Sequence, residues 1–278
     1  MLGKLIKYEF KATSKFILMI FGLLLALSTM MSVSLAFNLD EIIAGISQEF
    51  QVGGLILGVV AFLIIMLFVV LNVAAICGMF FYAISRFKRN LLGDEGYLMH
   101  TLPVKTRDNI LSKSIVSVIW TIVSFFVVGL AYFILLIGIS ETDIFKDLAY
   151  AISHINWGDA EVIDVVMEKI IVLIEFGLSI LTSIIAMYFQ IYASMSIGFS
   201  SNTHRVAKSI GIYVIIEFIK GMANAVVTGP LFLFGIGGVS IITNPHVAIC
   251  GGILINLIYA AVLYFVTHHF LSKKLNLL

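Results

Sequence analysis

Charge, proline and cysteine are all scarce in this sequence of 278 residues. Charged residues make up 12% of the chain and hydrophobic residues 61%, and the mean hydropathy is +1.11. A soluble domain has about 25% charged and about 45–50% apolar residues. A chain of this length has too little interior to bury so many apolar side chains, which excludes an ordinary soluble fold. Because a helix satisfies its own backbone in lipid, the composition predicts an all-α integral membrane protein.

The few cysteines and prolines support the same conclusion. Only three prolines are present, whereas 22 glycines and 22 phenylalanines are spread through the apolar stretches, a usage typical of membrane helices. Cys77 and Cys250 lie inside apolar stretches that the topology below places at opposite depths of the bilayer. Their Cα atoms cannot approach within the ~7 Å that a disulfide needs. We therefore expect two unpaired thiols that behave as small buried hydrophobes.

Sequence motifs for common enzyme chemistry are missing. The chain has no GxxxxGK[ST] loop, no HExxH, no paired-cysteine zinc spacing and no GxSxG elbow. We therefore predict that the chain is not an enzyme and binds no cofactor or metal of its own, and nothing indicates a nucleic-acid partner. It also lacks an internal repeat of the kind on which many secondary carriers are built.

Six apolar stretches are long enough to cross the bilayer, whose ~30 Å hydrocarbon core takes ~20 helical residues. Residues 2–13, which precede them, predict a short amphipathic helix in the cytoplasmic interface, or alternatively a basic flank that only sets the topology. An acidic outer loop is expected at 140–169, within a single transmembrane domain that covers residues 1–278. The predicted spans are 16–37, 55–83, 115–139, 170–199, 209–229 and 247–271.

The distribution of basic residues predicts the orientation. Lysines and arginines cluster before the first span, between the second and third, after the fourth, and in the C-terminal tail. Only Lys146 and Lys169 fall on the opposite side, where most of the acids lie. Because basic residues are retained on the inner side of a membrane, both termini are predicted to be cytoplasmic, in the cell membrane.

The cytoplasmic segment 85–113 carries the most informative pattern outside the spans. Gly93 and Gly96 enclose an acidic pair, and an apolar run follows up to Pro103. Apolar groups on the aqueous side favour a docking surface for another protein, although the segment could instead pack onto the chain's own spans. We call residues 93–104 the docking segment; its apolar side chains are Tyr97, Leu98, Leu102 and Val104.

Three ionisable residues lie inside predicted spans. Glu217 and Lys220 are three residues apart on one helical face near the middle of the fifth span, and isolated charges there are expensive, so we expect them to pair with each other. The pair either holds helices together or faces a pathway or a subunit interface. Glu175 lies near the outer boundary, from which its side chain could extend outward.

The opening MLGKLIKYEFK (1–11) and the run GDEGYLMHTLPV (93–104) resemble permease subunits of ABC-2 type transporters, notably those of Gram-positive bacteria. The layout of the whole chain is similar too. The resemblance implies an ATP-driven exporter in which this permease pairs with a second copy or a sister permease, beside two separate ATPase subunits that bind ATP and Mg. It implies a dimer contact that involves the first and fifth spans, which would place Glu217 and Lys220 near that contact or near the transport pathway. It also implies that a cytoplasmic coupling helix docks on the ATPase through Asp94, Glu95, Tyr97, Leu98, Leu102 and Pro103.

Two other classes of function remain open at this point. A self-contained secondary carrier or channel would use Glu217, Lys220 and Glu175 as ion-coupling groups and would transport without an ATPase. A membrane-integral enzyme or a scaffold is the third class, although no convergent set of catalytic groups supports it.

Overall fold

The structure is a computed structural model that describes residues 2–36, 51–93, 96, 104–138, 144–154, 160–201, 203–235 and 245–273. The described part is all-α, as predicted. Six helices contain 29 to 39 residues each, and one short helix of 10 residues lies between the third and fourth of them. In chain order the helices are α1 (Leu2–Ala36), α2 (Gln51–Phe87), α3 (Thr106–Gly138), α4 (Ile144–Ser153), α5 (Ala160–Gly198), α6 (Arg205–Gly235) and α7 (Pro245–Lys273).

Five of these helices, α1, α2, α3, α5 and α7, are long and apolar enough to cross a membrane. Their outward side chains are apolar as well: Phe62, Phe126, Leu173 and Phe265 are all more than half exposed. A soluble protein does not expose so many large apolar groups, whereas lipid accommodates them. The chain is therefore a multi-pass membrane protein. The predicted fifth span, 209–229, lies in α6, which is not among the five, so its crossing of the bilayer stays a prediction.

The N-terminal part differs from the prediction in one respect. The expected interfacial helix 2–13 and the first span 16–37 form one continuous helix, α1. Residues 12–15 contain neither glycine nor proline, and the Thr13 hydroxyl donates a hydrogen bond to the carbonyl of Glu9 (2.9 Å), one turn earlier. Nothing in this stretch therefore ends the helix. The position of residues 2–13 relative to the membrane interface stays a prediction.

The contacts of the chain divide it into two compact units, and the single transmembrane domain expected over 1–278 stays a prediction. The first unit contains Met1–Leu5, Ile84–Val118 and Asn156–Leu278, and the second contains Ile6–Ala83 and Ile119–Ile155. Each unit combines stretches that are far apart in the sequence.

The second unit is held together by aromatic and close backbone contacts. The Trp120 indole donates a hydrogen bond to the Thr13 hydroxyl (2.8 Å), and the rings of Phe10 and Phe21 lie 5.2 and 6.3 Å from the Trp120 ring. Near the other end of α1 and α3, Gly138 lies so close to Ser32 that a Cβ atom on the glycine would overlap the serine backbone. Small residues allow such close helix approach in membranes.

In the first unit, α5 packs along both α6 and α7. The C-terminal half of α5, from Thr182 to Gly198, supplies most of the buried surface of this helix, while its N-terminal half is largely exposed. The core of the unit therefore lies around the last five turns of α5, which is where the candidate site is found.

Candidate functional site

The six residues of the predicted coupling helix lie outside the described residues, so their role stays a prediction. They are Asp94, Glu95, Tyr97, Leu98, Leu102 and Pro103. The structure does describe the chain on both sides of them. The candidate site is therefore built from these two flanks and from the residues that hold them.

The N-terminal flank is a five-residue π-helical turn, Lys88–Leu92, that continues directly from α2. The amide of Gly93 donates to the carbonyl of Lys88 (2.8 Å), which closes this turn. Leu91 is fully buried, Leu92 is 2% exposed, and the Lys88 ammonium lies 5.9 Å from the centre of the Phe199 ring. Single π-helical turns are rare and occur often at functional sites. The start of the docking segment is thus anchored in the protein.

The C-terminal flank is the start of α3, and it is anchored equally well. Helix α3 begins at Thr106, and the amide of Asp108 donates to the carbonyl of Lys105 (2.9 Å). Polar side chains are buried throughout the next two turns, which is unusual near a helix end and requires specific partners. The buried residues are Asn109, Ile110, Ser112, Lys113 and Ser114.

Tyr192 of α5 contacts the two helices that precede and follow the docking segment, α2 and α3. Its ring stacks on Phe87, the last residue of α2, with ring centres 3.9 Å apart and planes 6° apart. Its hydroxyl is hydrogen-bonded to the hydroxyl of Ser117 in α3 (3.1 Å). Tyr192 and Phe87 are both fully buried. A single side chain therefore joins the end of α2 and Ser117 of α3, which lie on either side of the docking segment in the sequence, to the helix that forms the core of the first unit.

Sequence reasoning did not identify Tyr192, because a tyrosine inside an apolar span is also typical of ordinary packing. The signal that was present is local composition. Polar and aromatic residues are concentrated in the stretch 188–196 of an otherwise apolar span, and they include Tyr188, Gln190, Tyr192, Ser194 and Ser196, all buried. Buried polar groups in a span need partners and so mark contacts between helices.

Glu217 and Lys220 have different partners from those predicted. The Glu217 carboxylate accepts a hydrogen bond from the side-chain amide of Gln190 in α5 (2.6 Å). The Lys220 ammonium lies 5.2 Å from the centre of the Tyr259 ring in α7, a cation–π contact. Across the described ranges, no ion pair joins Glu217 to Lys220. The predicted pairing is wrong because each charge finds a partner on a different neighbouring helix.

The burial of the Gln190–Glu217 contact is asymmetric. Gln190 is 1% exposed, whereas Glu217 is exposed beside Phe218 and Ile219, which are 68% and 58% exposed. The exposed carboxylate of Glu217 is thus held by a buried amide of the neighbouring helix α5. A charged group facing lipid is expensive, so such a residue usually faces protein or a water-filled space.

Glu175 also has a protein partner, which the sequence did not predict. Its carboxylate oxygen lies 2.7 Å from Nδ1 of His246, in the first turn of α7, and its other oxygen lies 3.8 Å from the Cys250 thiol.

The two cysteines are free, and both are exposed, so the expectation that they are buried is wrong. Within the described ranges, no group of three or more histidine, cysteine, aspartate or glutamate side chains is arranged to hold a metal ion.

No family model matches the chain. Searches of the curated proteins and of the solved structures found no match either. The resemblance of residues 1–11 and 93–104 to ABC-2 type permeases therefore stays a prediction.

Proposed function

We propose that this chain is the membrane-spanning permease subunit of an ATP-driven exporter, on which separate ATPase subunits dock through residues 93–104. The observation that carries this proposal is that the two helices on either side of the docking segment both contact Tyr192 of α5, through Phe87 and Ser117. A cytoplasmic loop that only connects two spans has no need of buried anchors at both ends. A segment that receives force from a partner does need them.

In this proposal the chemistry and the transport path belong to different subunits. The partner ATPases bind ATP and Mg, and their nucleotide-driven closure displaces the docking segment. The two flanks pass this displacement to α5, and α5 packs along α6 and α7. A change of tilt in these three helices would then move substrate outward through the cell membrane. The N and C termini are both cytoplasmic in this arrangement, in agreement with the distribution of basic residues.

The exposed carboxylate of Glu217 supports a second subunit. A carboxylate at the centre of a lipid-facing helix costs at least about 2.5–3.5 kcal/mol. A second permease copy or a sister permease that covers this face of α6 would remove the carboxylate from lipid. The resemblance to ABC-2 permeases implies the same face, because it assigns the dimer contact to the first and fifth spans.

The alternative is a secondary carrier or channel that couples ions through Glu217, Lys220 and Glu175. Each of these side chains has a protein partner: Gln190 for Glu217, Tyr259 for Lys220, and His246 for Glu175. Fixed partners suit groups that hold helices together. The geometry therefore supports the exporter better than the carrier.

Co-purification tests the proposal directly. The chain is purified from native membranes through a C-terminal tag, bound proteins are identified by mass spectrometry, and ATPase activity is measured. The wild type is compared with the double variant Leu98→Asp/Leu102→Asp. The control is Ile152→Asp, which adds an acid at an exposed apolar position of α4, on the predicted outer side.

We expect an ATPase to accompany the wild type and the control and to be absent from the double variant. Purification of the wild type without any ATPase would overturn the proposal. In that case the carrier hypothesis makes its own prediction, namely transport in vesicles that hold this chain alone.

A further inference from the structure

We propose that polar side chains between α5 and its neighbours α6 and α7 line a water-filled path, along which the exporter moves a polar, hydrogen-bonding cargo. This inference rests on the proposed function and deepens it by naming the path and the class of cargo. It is argued from side chains of the first unit alone. These side chains, which we call the polar row, are Glu175, Ser183 and Gln190 of α5, His246 and Asn256 of α7, and Glu217 of α6.

The three α5 members of the polar row lie on one face of that helix. With 3.6 residues per turn, Ser183 is about 80° and Gln190 about 60° from Glu175 around the helix axis. From Glu175 to Gln190 the row extends about 22 Å along the axis, which is most of the ~30 Å hydrocarbon core. Lipid is a poor solvent for a polar face of this length, so the face requires protein or water beside it.

Each α5 member of the row contacts a polar side chain from another helix. The three contacts join, in order along α5, Glu175 to His246 (2.7 Å), Ser183 to Asn256 (3.0 Å) and Gln190 to Glu217 (2.6 Å). Successive contacts are about 10–12 Å apart along the axis. Polar groups from two or more helices are therefore available at three depths of the membrane part of this unit.

The row is open on one side. Ser183 and Glu217 are exposed, and the hydrogen bond between Ser183 and Asn256 is itself exposed. A hydrogen bond between membrane helices is worth less than the cost of a carboxylate in lipid. The bond from Gln190 therefore does not offset contact between the Glu217 carboxylate and lipid, whereas water beside the row does.

This exposure distinguishes the row from contacts that only join helices. Such contacts can be fully buried, as the bond between Trp120 and Thr13 is in the second unit. The polar row instead offers carboxylate, hydroxyl and amide groups on an open side, and these accept and donate hydrogen bonds. An apolar cargo finds no partners there. Ionisable residues inside a membrane protein commonly mark the path of a substrate, in agreement with this assignment.

Thiol labelling tests whether water reaches the row. The native thiols are removed by Cys77→Ala and Cys250→Ala, and each test variant then carries one new cysteine. Ser183→Cys places the thiol in the row with almost no change of volume, and Asn256→Cys is an independent second row variant. The control is Ile258→Cys, which is 65% exposed on the same helix as Asn256, about 3 Å along the axis and about 200° around it.

The purified variants are placed in lipid nanodiscs, so that both faces of the membrane are open to the reagent. The probe is a charged, membrane-impermeant methanethiosulfonate with a trimethylammonium group. The thiolate attacks the sulfur of the probe, a disulfide forms and methanesulfinate leaves. Mass spectrometry follows the labelled fraction with time.

We expect both row variants to react at least about tenfold faster than Ile258→Cys, because the reactive thiolate forms where water reaches the sulfur. In the complex with its ATPase, the group attached at Ser183→Cys should also reduce the ATPase rate, whereas the same group at Ile258→Cys should not. Equal labelling rates at the row and at the control position would overturn this inference.

Fast labelling of the row with an unchanged ATPase rate would also overturn the inference, because the wet surface would then not be part of the transport cycle. Neither of these results affects the proposed function, since the ATPase still binds in both. Purification of the wild type without an ATPase would overturn the proposed function itself, so the two failures are distinguishable.

Discussion

Replacing Gln190 by leucine removes the amide that holds Glu217 while keeping a side chain of similar size in the same buried position. Gln190 is 1% exposed, so the substitution changes a buried contact and not the surface of the protein. A hydrogen bond to a charged group is worth about 1.5–3 kcal/mol, whereas bonds between membrane helices average about 0.6 and reach about 1.7 kcal/mol. Because Glu217 is exposed in the single chain, we expect a loss of about 1–1.7 kcal/mol.

The assay is thermal unfolding of the purified protein in detergent at neutral pH. With about 2–4 °C per kcal/mol for a protein somewhat smaller than this one, Gln190→Leu should lower the Tm by about 2–6 °C. Gln190→Glu should lower it further, because a second carboxylate would then lie within hydrogen-bond distance of the first. The exchange variant Gln190→Glu/Glu217→Gln restores an amide opposite a carboxylate. It should recover most of the lost stability. An exchange variant as unstable as Gln190→Glu would refute the assigned contact.

Two further predictions concern the second unit. Gly138→Ala should destabilise the protein by about 1–3 kcal/mol, because its Cβ would overlap the backbone of Ser32. Gly129→Ala is the control on the same helix, because there is open space around the new Cβ, and it should leave the Tm unchanged or raise it. Equal losses of stability at the two sites would contradict the close approach of Gly138 to Ser32. Trp120→Phe should lower the free energy of unfolding by about 1 kcal/mol, because the hydrogen bond to Thr13 is lost. Adding Thr13→Val should lower the Tm little further. Additive losses in the double variant would argue against this hydrogen bond.

The helical class and the positions of most spans could be predicted from the sequence because they depend on local properties. Runs of apolar residues about 20 long mark spans regardless of their neighbours. The ends of the helices were less predictable, since the helix continues beyond the apolar run wherever no residue stops it. Helix α1 shows this: it includes residues 2–13, although their lysines make that stretch look like a separate element.

The partners of the polar side chains could not be predicted, because they depend on which helices become neighbours. Spacing alone favours a pair between Glu217 and Lys220, yet the nearest partners come from α5 and α7. Gln190 and Tyr192 are uncharged, so neither stands out in a span. Their contacts become visible only when Phe87, Ser117 and Glu217 are located beside α5. Interactions of this kind are set by tertiary structure and not by sequence spacing.

Because α5 is long, a small tilt of this helix would displace its far end by a large distance. Its 39 residues span about 58 Å, nearly twice the ~30 Å hydrocarbon core. Tyr192, which is buried, lies near one end of α5. Glu161, near the other end, is about 46 Å away along the helix. If α5 stays straight, a tilt of about 5° at Tyr192 displaces Glu161 by about 4 Å. A small tilt of α5 beside Phe87 would thus displace the exposed N-terminal end of this helix by several ångströms.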